Sequence, residues 1–297
     1  MTDTIQSGFV ALIGRPNSGK STLLNTILKQ PLAIVSALPQ TTRKTMRGIY
    51  NTPDLQIVFV DSPGIHQGKH AFNKAMSAQS LALTARNEVD VICYLVDCSR
   101  DFGSEEDAIV DAFMRARAQR IIVFNKTDCC PDVAEKKRLF YGRYPMLKTV
   151  PACAVSAPDP AASTTLLEML KPMLPQGPRW FGEEDITDAD MRFFAAEFIR
   201  KQIIANTREE VPHAVFVEIT GYRETPSRHR VDATIHVEST GQKTIIIGRN
   251  GELIKQIQFA AARDLKELCG SAVTINTHVV VTPNWRDDKR FLTEMGY

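Results

Sequence analysis

The sequence has no long apolar run. In 297 residues the hydrophobic stretches, such as 91–96 and 121–124, stay short, against the roughly 20 residues a membrane-spanning helix needs. The segment Met1-Thr2-Asp3-Thr4-Ile5-Gln6 lacks the basic-then-apolar order of a secretory leader, so a cytoplasmic protein is expected. The six cysteines form no C-x-x-C pair and no Cys/His ligand cluster. That excludes a disulfide scaffold or a zinc ribbon and leaves reduced thiols acting as small apolar side chains. Excess charge is absent as well: 36 basic residues face 34 acidic ones, and residues 179–297 carry 16 against 18. Any affinity for nucleic acid must therefore come from local geometry. No repeat or low-complexity segment occurs. What is present is an ordinary globular composition, 43% hydrophobic and 24% charged, enough apolar material for about two domains.

Apolar runs at 9–13, 56–60, 91–96, 121–124 and 150–155 read as strands buried on both faces, with helical patterns at 22–28, 72–86, 105–117 and 166–174 between them. That alternation predicts an α/β domain, a mostly parallel, doubly wound sheet with helices on both sides. Three prolines and a glycine in 171–178, then the acidic stretch 183–190, break the pattern. The expected layout is a first domain over 1–176, a linker over 177–190 and a smaller α+β domain over 191–297. The second domain reads helix 191–207, strand 214–222, strand 230–238, short helix 243–247, helix 252–268 and strand 273–281. Met191, Phe194, Phe198 and Ile203 share one face of its first helix, a pattern of core packing before a platform for stacked bases.

Gly14-Arg15-Pro16-Asn17-Ser18-Gly19-Lys20-Ser21 follows the first strand and opens a helix that continues with Thr22. This is the phosphate-loop spacing G-x-x-x-x-G-K-[ST]. Its glycines let successive N–H groups face phosphates, the lysine reaches the β and γ phosphates, and the serine hydroxyl ligates Mg²⁺. Asp61-Ser62-Pro63-Gly64 ends a later strand, where Asp61 can hold Mg²⁺ through water and the Gly64 N–H can reach the γ-phosphate. Asn125-Lys126-Thr127-Asp128 ends another strand; a carboxylate there accepts from both N1–H and the amino group of guanine, a donor pair adenine lacks. Ser156-Ala157 ends the next and can offer a backbone N–H to guanine O6. Three such tetrads in order define a guanine-nucleotide site. Gly248-Arg249-Asn250-Gly251 has the G-x-x-G spacing of a KH module. With 16 glycines about one such spacing arises by chance, but this one sits between two helices of an α-β-β-α-α-β order, with Lys255 in the next turn. Its glycines let a nucleic-acid backbone approach.

In this order the motifs resemble those of the translation-factor-related GTPases, and with the KH domain and 281–288 they are similar to the Era family of bacterial GTPases over essentially the whole chain. The resemblance implies that Gln40-Thr41-Thr42-Arg43 is the first switch, with Thr42 as the Mg²⁺ ligand and Thr41 as the alternative. It makes Lys20, Thr42 and Gly64 the catalytic set and Ser21, Thr42 and Asp61 the metal set. Ile65 stands where Ras-like enzymes place a water-orienting glutamine, which implies slow intrinsic hydrolysis helped by a partner or by K⁺ near Asn17 and Ala37. The cofactors implied are GTP or GDP with Mg²⁺. The partners implied are the 3′ region of 16S ribosomal RNA and the 30S subunit, for a monomer with a weak inner-membrane association. Relatives often carry Thr at the Ser62 position and a lysine inside G-x-x-G, where this chain has Arg249. Two rivals remain: a tRNA-modification or membrane-associated GTPase, disfavoured by the KH order, and an RNA-binding scaffold, disfavoured by intact Lys20, Ser21, Asp61 and Asp128.

Overall fold

Strands β1 (Ile5–Gly14), β3 (Leu55–Asp61), β4 (Val91–Asp97), β5 (Gln119–Asn125) and β6 (Ala152–Ala154) run parallel in one sheet. The antiparallel β2 (Met46–Thr52) forms its edge, and the short β7 (Gln176–Gly177) pairs with the start of β1. The computed structural model describes residues 4–35, 42–65, 70–85 and 88–297. Among these the strand order is β2-β3-β1-β4-β5-β6. The helices between them are α1 (Lys20–Leu28), α2 (Ala71–Ala85), α3 (Ser104–Arg115), α4 (Val133–Arg143) and α5 (Pro160–Leu170).

Every residue of β3 and β4 is buried, as continuous apolar runs require of strands covered on both faces. Ile13, Tyr94, Val96, Phe113, Phe124 and Phe140 share one core cluster. Because β1 lies between β3 and β4, the chain reverses its winding there, and the loops at the strands' carboxyl ends gather at a topological switch point. α5 begins earlier than the apolar pattern indicates: Asp159 caps it by accepting from the Ala161 N–H, with Pro160 in the first turn.

Contacts divide the chain into two units, Met1–Lys69 with Asn73–Asp188, and His70–Phe72 with Ala189–Tyr297. The stretch 177–190, read from sequence as a linker, is hydrogen-bonded to the first unit as far as Asp188. Prolines end the helix here, yet the backbone beyond them still finds partners on β2.

The second unit contains α6 (Met191–Asn206), β8 (Phe216–Thr225), β9 (Arg228–Val237), α7 (Thr240–Ile247), α8 (Glu252–Cys269), β10 (Ala272–Val281) and α9 (Lys289–Glu294). Its sheet has the order β10-β9-β8, with β8 antiparallel and β10 parallel to the central β9. Asp190 caps α6 through the Phe193 N–H. Phe194, Phe198 and Ile203 are buried, so the α6 stripe is core. α8 buries Ile257, Ala261 and Leu265 at a spacing of one helical turn. Among the described residues no helix is long and apolar enough to cross a membrane.

Candidate functional site

The loop between β1 and α1 is held from three sides. Gly19 adopts φ 97° at the N-cap of α1, and a Cβ there would lie 2.1 Å from the Asn125 amide nitrogen. Only glycine lets Asn125, wholly buried at the end of β5, donate to the Ser18 carbonyl at 2.7 Å. The same amide accepts from the Ala157 N–H at 2.9 Å. Asn125 and Ala157 thus bind the phosphate loop to the two base-side loops. Arg15 directs its guanidinium to Glu105 (2.7 Å) and Glu106 (3.2 Å) on α3, while Asn17 supports the loop in the left-handed region at φ 63°. No side chain caps α1, so its N-terminal N–H groups suit a phosphate.

Lys20 is 5% exposed and donates to the carbonyls of Gly14 (3.2 Å) and Arg15 (3.0 Å). Burial lowers its pKa to about 8, against the attraction of Asp61. One residue on, Ser21 Oγ donates to Asp61 Oδ2 at 2.9 Å and lies 3.0 Å from Thr42 Oγ1. Thr42 itself reaches that carboxylate oxygen at 3.4 Å. Three side-chain oxygens thus converge, and Asp61 Oδ1 is buried with no hydrogen-bond partner among the described residues. Burial holds the Asp61 carboxyl above its usual range, with Lys20 and Ser21 opposing it. An orphaned carboxylate oxygen beside two hydroxyls fits a hard cation. Thr41, the alternative Mg²⁺ ligand, and Ala37, expected near K⁺, lie outside the described residues.

The remaining Asp-x-Pro-Gly residues act through backbone and core. The Ser62 hydroxyl donates to the Leu12 carbonyl, and the Pro63 carbonyl accepts from Ser80. Gly64 abuts Pro16 of the phosphate loop. The Ile65 N–H donates to the Gly14 carbonyl at 3.2 Å while its side chain, 3% exposed, joins the core. Thr22 sits half-buried in the first turn of α1.

On the base side Lys126 takes φ 62° and donates to Asp97 Oδ2 at 2.7 Å. Burial would raise the Asp97 carboxyl, but Lys126 and Ser99 outweigh it and hold the group below its usual range. Asp97 belongs to none of the sequence motifs; a carboxylate closing the apolar run 91–96 is its only sequence signal. Thr127 anchors its N–H on the Val155 carbonyl at 3.3 Å. Asp128 is exposed, accepting from Ser156 Oγ at 2.7 Å and the Cys129 thiol at 3.2 Å. These bonds hold it below the usual carboxylate range, an ionised acceptor at neutral pH.

In the second unit Gly248 (φ 71°), Asn250 (φ 53°) and Gly251 (φ 74°) turn the chain between α7 and α8. A Cβ on Gly248 would press to 2.6 Å from Leu253 Cβ, so this position too requires glycine. Arg249, Asn250 and Lys255 are exposed, and α8 starts at Gly251 without a side-chain cap. An uncapped helix start, with Glu252 in its first turn, thus follows an exposed turn carrying Arg249.

A phosphate loop, a carboxylate with two hydroxyls and an Asn-Lys-x-Asp loop at the carboxyl end of one sheet, followed by a KH domain, define a P-loop GTPase with an RNA-binding module. A family described as 50S ribosome-binding GTPase matches residues 9–126, and the KH domain family matches 210–286. The chain is 42% identical to GTPase Era of Geobacter metallireducens over 296 residues, covering 98% of each. It is 40% identical to GTPase Era of Caldanaerobacter subterraneus subsp. tengcongensis, again covering 98% of each. Two solved structures superpose with a TM-score of 0.90 at 31% identity over 99% of each chain. One is a variant of Aquifex aeolicus Era bound to GDP·AlF4⁻; the other is Era with MgGDPNP and nucleotides 1506–1542 of 16S ribosomal RNA. The chain belongs to the Era family of GTPases, and it is a GTP phosphohydrolase.

Proposed function

We propose that this GTPase is a nucleotide-driven switch that holds the 3′ region of 16S ribosomal RNA in its KH domain and acts in assembly of the 30S subunit. The observation that carries this reading is the exposed Arg249-Asn250 turn between two glycines, in a chain matched end to end by an Era bound to that RNA segment. On the nucleotide side, the first-turn N–H groups of α1 and the Lys20 ammonium face the phosphates. Ser21, Thr42 and Asp61 would hold Mg²⁺, which would supply positive charge against the phosphates. One carboxylate with two hydroxyls is an oxygen donor set that suits this hard ion. The Gly64 N–H donates to the γ-phosphate, and Asp128 accepts from guanine. Ile65 is unable to orient water, so charge compensation comes from a partner or from K⁺ held beside Asn17. Exchanging K⁺ for Na⁺ at constant ionic strength is expected to lower turnover several-fold; equal rates leave a protein or RNA activator.

The double variant Arg249→Asp with Asn250→Asp tests the RNA assignment. Asp tolerates the left-handed backbone at 250, so the turn survives while one positive charge goes and two negative ones arrive. Affinity for an RNA of the 16S 3′ sequence should fall sharply and its salt dependence flatten. GTP affinity in the same preparation should stay within about twofold. Unchanged RNA affinity would sink the KH assignment.

A further inference from the structure

The polar groups along the free side of β2 are engaged by one segment of the same unit. The Ile49 N–H donates to the Ile186 carbonyl at 2.9 Å, and Gly48 pairs antiparallel with Thr187. Thr187 Oγ1 donates to the Arg47 carbonyl at 2.7 Å, and Arg47 pairs with Asp188 at 2.9 Å. Further along, Asn51 donates to the carbonyls of Gly182 and Asp185. At the far end stands Gln56 on β3, wholly buried. Its amide oxygen accepts from the Trp180 and Phe181 N–H groups at 2.6 and 3.1 Å, and its nitrogen donates to the Phe181 carbonyl at 2.9 Å. A buried glutamine has four hydrogen-bonding positions to satisfy, and here three go to a segment more than a hundred residues away.

The other end of β2 meets the nucleotide site. Met46, its first residue, is the register partner of Asp61 on β3. Thr42, four residues earlier, touches Ser21 and Asp61. Two residues along β2 from Met46, about 7 Å at strand rise, is Gly48, the rung on which Thr187 sits. Asp188 closes the segment, and Asp190 is the cap of α6 in the RNA-binding unit. The strand whose entry holds the phosphate-sensing threonine is therefore hydrogen-bonded along its edge to the residues that lead into the second unit.

We infer that residues 179–188 are a strap whose seating on β2 is set by the nucleotide, making it the element through which nucleotide state reaches the KH domain. This rests on the function proposed above and names its coupling device. The strap is seated when Thr42 is drawn to Ser21 and Asp61, as here. When the γ-phosphate leaves and Thr42 is released, the rungs at Gly48 and Ile49 loosen first, since they lie nearest.

Amide exchange on the full chain reads this directly. The Ile49, Trp180 and Phe181 amides should exchange at least tenfold more slowly with a non-hydrolysable GTP analogue and Mg²⁺ than with GDP and Mg²⁺. The double variant Arg47→Ala with Thr187→Val, at the exposed edge, should erase that difference while both nucleotide affinities stay within twofold. Asn51→Ala, also at the edge, should reduce it independently. In wild type, affinity for the 16S 3′ RNA should differ between the two nucleotide states by at least fivefold, and in the double variant that ratio should approach one. Equal exchange of the strap amides in both states overturns the proposal, as does an RNA ratio untouched by the double variant. Strap amides that respond while wild-type RNA affinity does not would leave the strap as the nucleotide reader and refute the coupled cycle.

Discussion

Lys20 holds an ammonium in a site that burial makes hostile to charge, and its pKa of about 8 measures that hostility. Phosphates restore the charge, so nucleotide binding favours the protonated side chain and draws in a proton wherever the free site has lost one. The sign follows. Below pH 8 affinity is flat, and above it affinity falls, approaching tenfold per unit until the pKa of the bound site is reached. Between pH 7 and pH 9 about a tenfold loss of GTP affinity is expected by equilibrium titration. Lys20→Arg, whose guanidinium stays charged, should keep only the shallower loss that comes from titration of guanine itself. A wild-type loss no steeper than that of the arginine variant would mean that Lys20 does not titrate there. Stability moves the opposite way: the unfolded chain holds the proton up to about pH 10.5, so Lys20 makes the nucleotide-free fold more stable, not less, as pH rises from 8. Asp61 is the converse case. Its carboxyl is raised by burial, so its contribution to stability declines as pH climbs through the carboxylate range.

At the scale of elements, legibility followed the source of each element's stability. The runs 56–60, 91–96 and 121–124 were readable because strands covered on both faces must be apolar throughout. β2 was not: Met46–Thr52 mixes Arg47, Gly48 and Asn51 among its apolar residues, and its outer edge is paired by the distant segment 182–188. α4 carries Glu135, Lys136, Lys137 and Arg138 in a row and buries Phe140 alone, so no stripe announced it. α9, six residues long, is held by its capping Asp288 and by the cluster around Trp285. That tryptophan was legible only as part of a family-like stretch, yet it is wholly buried and donates its indole N–H to the Ala214 carbonyl at 2.9 Å. Its ring lies 5.7 Å from Phe216 and 5.9 Å from Phe291. Trp285→Ala removes a large core side chain and orphans a buried carbonyl, which should cost about 3–5 kcal/mol in denaturant unfolding of the second unit. Trp285→Phe keeps most of the volume and should cost less than half as much. An alanine variant as stable as wild type would mean that the cluster does not pack in solution.

For the molecule as a whole, the two sites were legible because each is a loop whose backbone chemistry fixes residue types at short spacing. Gly14–Ser21 and Gly248–Gly251 can be read without knowing any long-range contact. What escaped local reading is a set of hydrogen bonds within the first unit, between residues 47–56 and 180–188, which no local spacing encodes. The two units have separate cores, one around Tyr94, Phe113 and Phe124, the other around Phe194, Phe198 and Trp285. The slowest amides of each core exchange when that unit opens, and a ligand protects the unit that binds it by RT ln(1 + [L]/Kd). GDP with Mg²⁺ at about 100 times its Kd should therefore slow exchange of the innermost β1 and β4 amides roughly a hundredfold, with β9 changing far less. RNA of the 16S 3′ sequence at the same excess should do the reverse, slowing β9 and α8. The Arg249→Asp, Asn250→Asp chain should lose the RNA effect and keep that of GDP. If GDP slows β9 as strongly as β1, the chain opens as one cooperative body.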